Sequence, residues 1–324
     1  MKRFIPSVIA AAIILSGCGG SSSSNSVDNT SLEVHAIKPA DVASYIENYT
    51  QSAAQLNVQI DGHNSAIEML DFDMDEGVIY IRYDLGVIVL GFDFEGEKPK
   101  QEVAVITNQN TEQALLGENL QLSEQNDNFV IEGQLVDNTS GNLHTFNMTL
   151  NESLISGGNS QLVVKDTAAE LSGTLGSKTY VQFRDLALDH PSVNRIIFKS
   201  VDGSVNDDIN MHTGRLIHQA QYTTVMPADG EAYSGGVDLY AAGIKKEYQV
   251  GGKLGVHAWC CEGDKDAGQL SKSHSAHGAQ LTYFREILGQ ELGPEFYFFT
   301  INAAPADDIY LMTQAEINKY FFNF

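Results

Sequence analysis

The chain has 324 residues, 43% of them hydrophobic, and a formal charge of −23 at pH 7. It is long enough for two domains with cores of their own, and too acidic to sit against a phosphate backbone or an anionic head-group surface. Nucleic acid is therefore not an expected partner; the acidity is spread along the chain and favours solubility.

Lys2 and Arg3 precede an apolar stretch, Phe4 to Leu15, broken by Pro6 and Ser7. It is too short to cross a hydrocarbon core as a helix, so it reads as an export signal. Leu15-Ser16-Gly17-Cys18 resembles the lipobox of bacterial lipoproteins. That chemistry needs small residues before the cut and a thiol after it to take the diacylglyceryl group. Residues 1–17 are thus the expected lipoprotein signal peptide and Cys18 the expected lipidated residue. Two or three acyl chains there hold a protein stably to a membrane, where one binds reversibly. Gly19, with no aspartate in its place, resembles Gram-negative lipoproteins of the outer membrane. The expected address is the cell envelope, lipid-anchored and facing the periplasm. Residues 18–31 are serine-rich, with only Val27 to bury, and read as a flexible tether.

Residues 32–155 read as a small β-rich (α+β) domain of unassigned role. A helix is predicted over Pro39–Gln55, where Val42, Tyr45, Ile46, Tyr49 and Ala53 recur at roughly helical spacing. Short β-like runs follow: Leu56–Ile60, Val78–Tyr83, Val87–Phe94, Glu102–Ile106, Phe129–Glu132 and His144–Leu150. Turn-prone residues such as Asp61-Gly62 divide them, which predicts an antiparallel sheet or sandwich. Asp71 to Gly77 begins like a calcium loop, but Glu76 and Arg82 stand where that loop needs glycine and a bidentate glutamate. It reads as an acidic turn.

From residue 156 strands alternate with helices, the pattern of an α/β layer with parallel pairing. Leu162–Val164, Tyr180–Phe183, Arg195–Ser200, Thr223–Met226 and Lys253–His257 are predicted strands. Ser204–Ala220 is a predicted amphipathic helix, Leu239–Ala242 a helix fragment, and Phe296–Phe299 one face of a packed helix or strand.

Ser234 lies in Tyr233-Ser234-Gly235-Gly236, between a strand and a helix. Such a serine can project its hydroxyl while the following N–H groups face an oxyanion. His257 ends the strand Leu254-Gly255-Val256, a rigid place for a base. Asp308, with Asp307 as the alternative, could orient the imidazole. The order Ser, His, Asp does not fit an α/β-hydrolase, in which the acid precedes the histidine.

With these residues the segment from about 161 to 324 resembles the Clp-protease/crotonase superfamily, specifically its periplasmic branch. Four features carry the likeness: Ser200-Val201-Asp202-Gly203-Ser204 as the glycine turn, the Ser234 turn, the Leu254-to-His257 strand, and Asp308 followed by Met312-Thr313-Gln314-Ala315-Glu316. The resemblance implies an α/β Clp/crotonase-like domain and a serine hydrolase acting on a peptide or acyl ester. Ser234 would be nucleophile, His257 base, Asp308 the orienting acid, and the N–H groups of Gly203 and Gly235 the oxyanion hole. Relatives of this type often assemble, so oligomers are compatible with it. Asp202, where the family has glycine, would set a charge near that hole. This favours the rival expectation of a non-catalytic binding or scaffold lipoprotein.

No cofactor and no metal are called for. Zinc is the competing use of His257, Cys260, Cys261, His274 and His277, although adjacent cysteines rarely share one ion. Cys260 and Cys261 can instead pair or stay as thiols. His274 and His277 read as solvated surface, and Trp259 as cleft wall or core.

Overall fold

The computed structural model describes residues 33–53, 56–73, 78–95, 98–108, 113–118, 120–125, 128–154 and 156–322. The expected signal peptide, the lipidated Cys18, the tether and the tip of the acidic turn lie outside them. The described chain forms two compact units, residues 44–159 and residues 33–43 with 160–324.

The first unit holds one ten-stranded sheet, and all its pairings are antiparallel. Ile67–Asp73, Val78–Tyr83, Gly86–Glu95, Lys98–Asn108 and Gln113–Glu118 pair in chain order as a meander. Asn128–Asp137 pairs with Gln113–Glu118, Gln121–Gln125 and Leu143–Asn151, and the last of these pairs with Asn57–Ile60. The two-residue period decides which face is dry: Ile81 and Tyr83 are buried, while Tyr80 and Arg82, which alternate with them, are exposed. The dry face carries Val58, Ile88, Leu90, Ile106, Ile131, Leu135, Phe146 and Met148. The predicted helix over Pro39–Gln55 is a 3₁₀ turn at Pro39–Asp41 running into an α-helix at Val42–Ala53.

The second unit repeats a three-part segment: a strand, a shorter strand, then a helix. It runs Ala168–Ser172, Thr174–Leu175, Ser177–Asp189; then Arg195–Phe198, Ser200–Val201 with Gly203–Ser204, Asp207–Gln219; then Thr223–Met226, Glu231–Tyr233, Gly235–Ala241. Lys245–Tyr248 and Lys253–Val256 begin a fourth. The first strands of the segments lie parallel in one sheet, with Gln161–Lys165 antiparallel at its edge. Ser200–Val201, Glu231–Tyr233 and Lys253–Val256 lie parallel in a second sheet, which Tyr310–Leu311 edges antiparallel. Parallel neighbours require a crossover, and each crossover here carries a helix that buries its apolar stripe. Leu171, Phe183, Ile196, Phe198, Ile217, Met226 and Tyr240 are core residues of this unit.

The α/β expectation holds for this unit, with corrections. Tyr180–Phe183 is not a strand but part of the helix Ser177–Asp189, because Thr179, Phe183 and Leu186 bury at helical spacing. The helix predicted from Ser204 starts at Asp207, since the Asn206 side chain caps it by accepting from the Ile209 N–H at 3.4 Å. Phe296–Phe299 lies in the helix Leu292–Ala303. Thr313 and Glu316, part of the closing motif, form a capping box on the helix Gln314–Phe321: the Glu316 N–H donates to Thr313 Oγ1 at 3.3 Å and the Thr313 N–H to Glu316 Oε2 at 2.7 Å. Among the described residues no helix is long and apolar enough to cross a membrane.

Candidate active site

Ser234 joins the strand Glu231–Tyr233 to the helix Gly235–Ala241 with φ 49° and ψ −123°. A non-glycine residue in this region costs about 1–3 kcal/mol and persists only where its surroundings over-determine it. Here the Ser234 N–H donates to the Gly255 carbonyl at 2.9 Å, and the Ser234 carbonyl accepts from the Val237 N–H at 2.8 Å. The expected oxyanion glycines flank this turn. Gly203 has φ 123°, and a Cβ there would lie 3.2 Å from Ser234 Cβ. A Cβ on Gly235 would lie 2.6 Å from Ser204 Cβ. A side chain at Gly235 would overlap Ser204, and one at Gly203 would be strained by its φ and pressed against Ser234.

His257 follows the strand Lys253–Val256 and lines the same cavity as Ser234. Its Nδ1 is 3.1 Å from the Ala306 carbonyl oxygen. A carbonyl only accepts, so Nδ1 carries the proton and Nε2 keeps its lone pair. Burial pushes the imidazole pKa down, partly offset by the Ala306 hydrogen bond and the charge of Asp266. The ring is therefore a neutral base in the tautomer that proton abstraction requires. The cavity is small, ≈ 30 Å³, with Trp259, Gln280 and Thr300 among its walls. That is room for about one or two waters.

The expected orienting acid is placed elsewhere. Asp307 and Asp308 are exposed, neither lines the cavity, and Asp308 Oδ1 accepts from the adjacent Ile309 N–H at 2.8 Å. The reason is the chain path. Tyr310–Leu311 pairs antiparallel with Lys253–Val256, and the Ala258 N–H donates to the Ala304 carbonyl at 2.9 Å. The 304–306 segment thus meets His257 through its main chain. Behind it stands Asp266, whose Oδ2 accepts from the Ala306 N–H at 3.1 Å. Asp202 is exposed and is not among the cavity's walls. Its charge acts on the Tyr233 phenol, which burial, Glu231 and Asp202 together push up to about 12.

Two cavity residues were not foreseen from the sequence. Asp207, the first residue of the helix Asp207–Gln219, is raised to about 6 by burial, against the pull of a Ser204 hydrogen bond. Asp238 is raised well above its ordinary value by burial and then by the Asp207 charge. The usable signal was spacing: Asp238 falls one helical turn after Ser234, so a helix starting at Gly235 turns it back toward the nucleophile.

Cys260 and Cys261 are joined as a disulfide. The three histidines of the zinc alternative have other partners, His257 through Ala306 as above. His277 is buried rather than solvated, with Nδ1 2.6 Å from the Tyr297 hydroxyl and Nε2 3.1 Å from the Ser271 carbonyl. His274 Nδ1 accepts from the Ala276 N–H at 3.3 Å. Trp259 is a cavity wall, and its Nε1–H donates to the Tyr297 hydroxyl at 3.0 Å.

No family model and no curated protein matches the chain. Among solved structures it is similar to the 1510-N membrane-bound stomatin-specific protease in complex with a substrate peptide, at 19% identity over 47% of this chain and 70% of that one, TM-score 0.34. It is also similar to a putative enoyl-CoA hydratase from Streptomyces avermitilis, at 14% identity over 50% and 64%, TM-score 0.30. An enoyl-CoA hydratase from Bacillus anthracis aligns at 12% identity over 50% and 67%, TM-score 0.31.

Proposed function

We propose that residues 160–324 form a Clp/crotonase-like serine hydrolase domain acting on a peptide or acyl ester, carried by an envelope lipoprotein anchored through Cys18. The observation that carries the chemistry is Ser234, held at positive φ against Gly203 while lining one cavity with a histidine of the right tautomer.

In the proposed reaction His257 Nε2 takes the Ser234 hydroxyl proton as Oγ attacks the substrate carbonyl carbon. The C=O π pair moves to oxygen, where the N–H groups of Gly203 and Gly235 stabilise it, each donor contributing about 3 kcal/mol. His257 then returns the proton to the leaving amine or alcohol, and water releases the acyl group by the same steps in reverse. The Ala306 carbonyl orients the imidazole in place of a carboxylate, with Asp266 one hydrogen bond behind. Asp202 is exposed and is not among the cavity's walls, while its charge reaches the Tyr233 phenol beside Ser234.

The test is labelling of the full chain with a fluorophosphonate. Wild type should be labelled and Ser234→Ala should not. Unlabelled wild type would support the second reading, a non-catalytic lipoprotein reusing this fold. The small size of the cavity is the observation that favours that reading.

A further inference from the structure

The loop after His257 carries chemistry that the hydrolase reading does not use. It runs Ala258-Trp259-Cys260-Cys261, turns through 262–265, and returns at Asp266. The Ala267 N–H donates to the Trp259 carbonyl at 3.1 Å, so the loop's two ends are fastened together. Cys260 is exposed, whereas Cys261 and Asp266 are half-buried. Cys261 Sγ lies 3.7 Å from Asp266 Oδ1. The other oxygen of that carboxylate accepts from the Ala306 N–H, and the Ala306 carbonyl accepts from His257 Nδ1. One short chain of contacts therefore leads from the disulfide to the imidazole.

We propose that the Cys260–Cys261 disulfide is a thiol-exchange site, reduced by a dithiol of the Cys-x-x-Cys class, whose redox state is transmitted to His257 through Asp266 and Ala306. The incoming thiolate attacks the exposed Cys260 Sγ, because Cys261 is shielded. The S–S bond breaks and Cys261 leaves with the electron pair. Beside the Asp266 carboxylate that thiolate is disfavoured and takes a proton. The second thiolate of the dithiol attacks the mixed disulfide and releases Cys260, which is protonated in turn. The balance is two electrons and two protons to the protein, and one new disulfide in the reductant.

The transmission follows from the hydrogen-bond inventory. A disulfide sulfur has no hydrogen to give, so in the oxidised chain Asp266 Oδ1 receives nothing from Cys261. A reduced Cys261 carries an S–H that donates to it. That bond draws charge off the carboxylate whose field supports protonation of His257. Reduction also opens the ring that fixes the loop one residue past Trp259. Asp207 and Asp238, the acids that line the cavity with His257, lie on helices outside this loop and contribute the same background in both states.

The consequence for catalysis rests on the hydrolase reading, but the coupling is measured without it. The full chain with labelled histidines is titrated by NMR before and after dithiothreitol, with His257 assigned by loss of its signal in His257→Gln. Mass spectrometry counts the thiols and locates the mixed disulfide. The expected result is reduction of the folded chain with Cys260 modified first, and a downward shift of the His257 midpoint on the order of half a pH unit. Asp266→Asn should remove the dependence on dithiothreitol. The double variant Cys260→Ser, Cys261→Ser, which cannot close the ring, should show the reduced-form titration without reductant and no response to it. A pair that reduces only after unfolding overturns the proposal. So does a His257 midpoint that stays put, or one that moves equally in Asp266→Asn. Absent fluorophosphonate labelling with the redox shift intact would sink the hydrolase and leave the exchange site standing.

Discussion

His257 is oriented by a main-chain carbonyl: its Nδ1 donates to the oxygen of Ala306 at 3.1 Å. A carbonyl fixes the tautomer as a carboxylate would, but it brings no full charge to the developing imidazolium. The charge available is that of Asp266, relayed through the Ala306 N–H. Asp308→Asn is therefore expected to change fluorophosphonate labelling by less than about tenfold, since its carboxylate is occupied with Ile309. A loss near 10⁴-fold, the scale of removing a true orienting carboxylate, would restore Asp308 to the triad.

The backbone of Ser234 makes a second expectation. Glycine adopts positive φ at no steric cost, so Ser234→Gly should relieve strain and raise unfolding stability by about 1 kcal/mol while abolishing labelling. Gly203→Ala should do the opposite to the fold. At φ 123° its Cβ would press on Ser234 Cβ at 3.2 Å, and a loss of about 1–3 kcal/mol should accompany loss of labelling. Thermal unfolding of the two variants beside wild type checks both signs. A destabilised Ser234→Gly would mean the serine side chain supports the turn.

How much was legible in the sequence follows from these residues. Local signals were readable: the strand Thr223–Met226, the position of Ser234 between a strand and a helix, and the histidine at the end of Lys253–Val256. Contacts made by main chain were not, because any residue at position 306 offers the same carbonyl. A sequence displays the carboxylate of Asp308 and hides the carbonyl that the fold sets against His257. Thr313 and Glu316 were visible for a different reason, since helix capping demands those residue types locally. Asp207 and Asp238 were missed because neither sits in a motif; only the packing of two helix starts around one cavity brings them together.

Protonation in that cavity has a stability signature. Burial, the main cause, pushes the Asp207 carboxyl up from the usual 3.8 to about 6 in the fold. The folded state thus binds its proton more tightly than the unfolded chain does. The stabilising contribution is full below pH 3.8 and is lost as pH rises through about 6. Asp207→Asn, which cannot ionise, should be more stable than wild type at pH 8 by about 1–2 kcal/mol after allowance for partial exposure, and near parity at pH 4. Equal differences at the two pH values would place the effect in packing.

For His257 the sign is reversed. Its folded pKa lies below the usual imidazole value of 6.5, so the neutral ring is favoured in the fold. Stability associated with it is present above 6.5 and falls as acid protonates the imidazole. Labelling of Ser234 needs that neutral ring, so its rate against pH should lose its acid limb below 6.5. A midpoint above 6.5 would point to a base other than His257, or to a carboxylate pairing that the geometry does not show.

Trp259 and His277 meet at one hydroxyl. Tyr297 accepts from Trp259 Nε1 at 3.0 Å and lies 2.6 Å from His277 Nδ1. Because His277 Nε2 faces the Ser271 carbonyl it must hold the ring proton, so Nδ1 accepts and Tyr297 donates. Burial lowers the His277 pKa and keeps this neutral form. Tyr297→Phe removes the acceptor of one buried donor and the donor of one buried acceptor, at about 1–3 kcal/mol for each group left unsatisfied. A destabilisation of about 2–4 kcal/mol is expected on unfolding in denaturant. Trp259→Phe added to Tyr297→Phe should recover part of it, because the indole N–H then no longer needs a partner. Strict additivity of the two substitutions would show that the tyrosine hydroxyl is not the shared partner, and that Trp259 holds the cavity wall by packing alone.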